Sequence, residues 1–195
     1  MDPLARHLLT EAYNNAWANH RLLGACMQLT QEEFEAKRTS FFPSIKATLN
    51  HILTVDWFYI DAMQRSLVGQ PVNENARGFF DPPEPYLTCA VLREEQSASD
   101  RALIALCKTL DAEALKRTVT VLRGTGPVLE PLPRLLAHLY THQTHHRGQV
   151  HAMLSGTRIA PPQLDDFFCA NDAPVRVEDF AALGFSEAAI WPAAE

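Results

Sequence analysis

Leu135-Leu136-Ala137-His138-Leu139-Tyr140-Thr141-His142-Gln143-Thr144-His145-His146-Arg147-Gly148-Gln149 is the stretch on which the reading of this chain turns. Five of the eight histidines fall between His138 and His151. In a helix, at about 100° per residue, positions four apart lie about 40° apart around the axis and about 6 Å along it. His142 and His146 therefore project from one face and can share a metal ion, for which neutral imidazole is the commonest protein ligand. His138 lies one turn earlier on the same side. His145 is swung about 60° from His142, and His151 points roughly opposite.

Outward from this stretch the chain reads as helices. The histidine helix starts near Pro131 or Pro133 and runs to Leu154, with Gly156 placed to end it. A first helix spans about Pro3 to Met27, carrying Leu4, Leu8, Ala12, Ala16, Leu22 and Leu23 at roughly helical spacing. A second follows Phe41-Phe42-Pro43, with Ser40 as a plausible cap, and ends before Gly69-Gln70-Pro71. Its apolar residues encircle it, so it is expected to be covered on more than one side. Thr30-Gln31-Glu32-Glu33 resembles a capping box. Asn73 to Pro85 is loop, and a third long helix runs from about Tyr86 to Leu110, with Thr88 near its start. Thr118-Val119-Thr120-Val121-Leu122 is β-branched and alternating, a short strand or extended crossover turned by Gly124-Thr125-Gly126. Four helices of about 20–25 residues give an all-α fold, a four-helix bundle, with a C-terminal extension. Residues 1–168 are read as the bundle. Residues 169–195, apolar and proline-containing, are read as an extension packed on it or on a dimer partner.

Composition bounds the class. The chain has 195 residues, 47% hydrophobic and 21% charged, with a formal charge of -6, which suits one globular domain. The acidic balance, without a long Lys/Arg run, argues against nucleic acid as partner. The N-terminal residues do not read as a signal peptide, and no stretch of about 18 apolar residues reads as a membrane span. Cys26, Cys89, Cys107 and Cys169 contain no C-x-x-C pair and read as buried thiols of a reducing cytoplasm.

Two histidines on one helix do not complete a metal site, because catalytic sites normally hold three protein ligands and an open position. His51 is the best third candidate. It sits among Leu49, Ile52, Leu53 and Val55, where an unpartnered ring would be costly. The bland alternative is a hydrogen-bonded core histidine. His138 is either a fourth ligand or a donor to one, and His7, His20 and His151 are expected on solvated faces. The absence of a glutamate inside the histidine motif excludes an H-E-x-x-H protease. Neither a G-x-S-x-G elbow nor a phosphate-binding glycine loop is present. Asp56 is an inner carboxylate, but five residues from His51, about 140° around the helix, it is poorly placed for direct contact.

His142-Gln143-Thr144-His145-His146-Arg147-Gly148-Gln149-Val150 resembles the helix-four signature of the DinB family, close to H-x-x-x-H-R-G-Q. Tyr13 to Leu23 resembles that family's first helix, and Phe41-Phe42 through His51-Ile52-Leu53 with Asp56 and Trp57 its second. The likeness spans roughly residues 4 to 168. It implies a DinB/YfiT-like bundle with a long crossover, usually a homodimer, holding a divalent metal (zinc or nickel) on three histidines. Carried over position by position, these are His51, His142 and His146. It also implies a metal-dependent transferase or hydrolase, such as a thiol S-transferase taking a low-molecular-weight cellular thiol. The alternative is a non-catalytic metal-binding or stress-response module. Arg147, Gly148 and Gln149 are expected to be structural: Gly148 to admit a neighbouring helix, Arg147 and Gln149 to bond loops or a partner subunit.

Overall fold

The computed structural model describes residues 1–192, so the last three residues of the 169–195 extension lie outside the described residues. Local chemistry sets the helix ends. The Asp2 carboxylate accepts hydrogen bonds from the Leu4 and Ala5 amides and starts α1 (Pro3–Cys26). A reciprocal capping box between Thr30 and Glu33 starts the short α2 (Gln31–Glu35), as the sequence suggests. The second long helix, α3 (Ile45–Leu67), is capped by Ser44 and not Ser40. Thr88 caps α4 (Cys89–Lys108), which begins three residues later than Tyr86. The reason lies on α3, where the Asn50 side chain bonds both the N–H and the carbonyl of Tyr86 at 2.9 Å, occupying that backbone.

The all-α expectation needs one correction. Thr118–Arg123 (β1) and Gly126–Pro131 (β2) form an antiparallel two-stranded sheet with Val121 opposite Val128. Val119 and Val121 turn inward and bury, while Gly126 takes the left-handed φ of 110° that its turn requires. From Pro131 the chain enters α5 (Leu132–Leu154). The loop after α3 also contains a 3-10 turn, Ala76–Phe80. The extension adds α6 (Val177–Leu183) and α7 (Glu187–Ile190).

Each of the four long helices packs on two others: α1 on α4 and α5, and α3 on α4 and α5. The N-terminal halves of α1 and α5 share one apolar cluster with the C-terminal halves of α3 and α4. The opposite halves share a second cluster with Phe34 and Ile159. Hence α1 and α5 run one way and α3 and α4 the other, and the link from α3 to its parallel neighbour α4 must cross the length of the fold. Among the described residues no helix is long and apolar enough to cross a membrane.

Candidate metal centre

His51 on α3 faces His142 and His146 on α5. One ring nitrogen from each of the three lies within 4.8 Å of the other two, and His51 Nε2 is 2.9 Å from His142 Nε2. The His146 Nδ1–H donates to Gln149 Oε1 at 2.9 Å, which leaves Nε2 of that ring as the free base. Gln149 Nε2 in turn donates to His145 Nε2 at 3.0 Å. Gln149 therefore bonds the cluster itself and, among the described residues, no loop. Phe42 lies against the cluster, its ring centroid 4.4 Å from that of His51 and 5.5 Å from that of His146. Phe41 stands beside it, 77% exposed.

Burial holds these imidazoles neutral. It pushes His51 down to about 4, with the nearby His146 adding to the effect. His142 falls to about 3, again chiefly through burial, and then through His146 and His51. His146 is lowered by burial, partly opposed by its bond to Gln149. Neutral rings carry available lone pairs, so this is an arrangement able to accept a cation. The separations also fit. Tetrahedral zinc with Zn–N bonds of about 2.0–2.1 Å requires ligand nitrogens about 3.3 Å apart, a spacing inside the observed range. The Nδ1 atom of His142 is buried with no hydrogen-bond partner among the described residues.

The remaining histidines separate from this group. His138 is exposed and packs edge-on against Tyr59, its centroid 6.2 Å from that of His142. His7 is exposed, but His20 and His151 are half-buried, contrary to the expectation of solvated faces. His20 lies 3.8 Å from Asp179, and His151 Nε2 donates to the Pro162 carbonyl at 3.1 Å. Cys169 is exposed, unlike the other three cysteines. Gly148 makes room for no other helix of this chain, since a Cβ built there meets nothing within 4 Å among the described residues.

Behind the histidines lies a buried polar layer that the sequence reading missed. Asp56 on α3 accepts from Gln96 on α4 at 2.8 Å and from Gln143 on α5. Asp100 on α4 accepts from Asn15 and Asn19 on α1 at 3.1 and 2.9 Å, and from Gln96 at 3.2 Å. Arg147, 5% exposed, donates to Asn15, Asn19 and Gln143, and so bonds the first helix and its own helix. Asp56 thus belongs to this layer. Burial first, and the neighbouring Asp100 second, push its carboxyl up to about 7. Burial likewise raises Asp100 to about 6. The legible signal was three pairs at i, i+4 (Asn15/Asn19, Gln96/Asp100, Gln143/Arg147) set into otherwise apolar helix faces.

Comparison with known proteins adds a lineage. The family model described as "DinB family" matches residues 5–173. The chain is 23% identical over 145 residues to Protein DinB of Bacillus subtilis (strain 168), covering 72% of this chain and 80% of that protein. It is also 27% identical over 136 residues to the uncharacterized protein YizA of the same organism, covering 70% and 79% respectively.

Proposed function

The chain belongs to the DinB family, and from that premise we propose that His51, His142 and His146 hold a divalent metal ion, zinc or nickel, in a metal-dependent enzyme acting on a small molecule. The reaction class we favour is S-transfer from a low-molecular-weight thiol in the cytoplasm. The observation that carries the reading is the convergence of three neutral imidazoles from two rigid helices on one point. His51 also lines a cleft of about 360 Å³, large enough for a small molecule, which favours an enzyme over a sealed structural ion.

When bound, a divalent ion supplies the positive charge that keeps a thiol as thiolate, or a water near its pKa, at neutral pH. The chain's own residues do the rest. Gln149 fixes the tautomer and orientation of His146. Phe42 shields the rings of His51 and His146 from water, and Phe41 offers an exposed apolar surface to an entering molecule. A non-catalytic metal-binding or stress-response module is the second reading. It would bind the ion with no thiol-dependent turnover.

We read the cyclic packing of the four long helices as a four-helix bundle over residues 1–168, with residues 169–195 as its extension, and the protein as a homodimer. Light scattering would then give twice the 21.8 kDa chain mass. The decisive measurement is elemental analysis of protein purified without an affinity tag, expected to contain close to one divalent ion per chain. His146→Ala should weaken metal binding by more than about a hundredfold with the helical signal intact. A folded, metal-free native protein, or unchanged affinity in the variant, overturns the site.

A further inference from the structure

The cleft beside His51 also carries positive charge: His51, Val55, Tyr59, Arg77 and Arg123 all line it. Arg123 is fixed in place. Its Nη2 donates to the Tyr59 hydroxyl at 2.9 Å, and its guanidinium sits 5.3 Å from the Tyr59 ring centroid and 5.9 Å from that of Phe58. Such cation–π and hydrogen-bond contacts hold the planar fork without neutralising it. Arg77 approaches from the 3-10 turn after α3, close to Gly124 at the hairpin tip. Among the described residues neither guanidinium has a carboxylate within 4.0 Å. Both are exposed, so two guanidiniums without a carboxylate partner offer a cleft-lining docking point for an anion, which the planar fork can bind in a bidentate manner.

We propose that Arg77 and Arg123 form the anion-recognition end of the site, so that its substrate class is a small molecule bearing a carboxylate or phosphate, with its reactive end toward His51. This rests on the reading of the histidine cluster as the reactive centre. The two arginines are positioning residues: they set which molecules bind and in which direction.

The test is calorimetric titration of the zinc-loaded full-length protein with 3-mercaptopropionate, its methyl ester, and phenyl phosphate. The free acid should bind about tenfold or more tighter than the ester, and phenyl phosphate should bind measurably. In the Arg77→Gln/Arg123→Gln double variant both effects should vanish, with zinc content and ester affinity unchanged. Arg123→Lys should retain part of the preference, because it keeps the charge and loses the fork. Equal affinity for acid and ester, or a preference that survives in the double variant, overturns the inference. If neither thiol binds but phenyl phosphate binds in an arginine-dependent way, the anion site stands and the thiol reading falls. If zinc does not load, the phenyl phosphate titration is run on the metal-free protein, where absence of arginine-dependent binding is equally fatal.

Discussion

At the scale of single residues, the depressed histidines predict how the site responds to acid. A free imidazole begins to protonate near pH 6.5, so an ordinary histidine site loses metal as pH falls through that value. His51 at about 4 and His142 at about 3 are still neutral there. Zinc affinity, followed with a competing chelator, should therefore stay level from pH 8 to about 6. A tenfold fall per unit beginning at 6.5 would contradict this. The same shifts carry a stability term of known sign. The folded-state values lie below the unfolded value, so the contribution of the neutral rings is fully present above pH 6.5 and is lost as pH falls toward 4 and 3.

The element scale is governed by the polar layer that crosses all four long helices. It lies between two apolar clusters, and its hydrogen bonds have a fixed geometry where the leucine layers do not. Gln143 and Arg147 each follow a site histidine in sequence, so bonding them to α1 and α3 fixes the rotation of α5 and thereby the direction of His142 and His146. Arg147→Met should cost on the order of 3 kcal/mol in chemical denaturation, because the amides and carboxylates around it lose their shared donor. Asp56 adds a pH arm of opposite sign to that of the histidines. Its folded value of about 7 lies above the unfolded 3.8, so stability falls as pH rises between these values. Measured against the native protein, Asp56→Asn should gain stability steadily from pH 4 to 7. A pH-independent difference would show that the native carboxyl titrates normally.

On the whole-molecule scale, the C-terminal extension closes the fold over α1. Asp179 accepts from Trp17 Nε1 at 3.1 Å and from Arg21 Nε at 2.6 Å. Arg176, 1% exposed, pairs with Glu187 at 2.6 and 3.0 Å and lies near the Phe180 and Trp191 rings. None of these contacts involves His51, His142 or His146. Arg176→Ala is accordingly expected to lower stability by on the order of 2 kcal/mol while leaving metal content unchanged. Loss of metal in that variant would tie the extension to the site.

The periodic spacing of apolar residues and the caps at Thr30 and Thr88 were legible in the sequence because they are local, governed by hydrogen bonds within one turn. The shared face of His142 and His146 was legible for the same reason, since both lie on one helix. What folding alone decided is which residues of different helices meet. The polar layer draws on positions up to 132 residues apart, Asn15 and Arg147. Arg77 and Arg123 reach one cleft only because a 3-10 turn and a hairpin, separate in sequence, pack against α3. No periodicity encodes such meetings; they follow from the packing that buries the two apolar clusters.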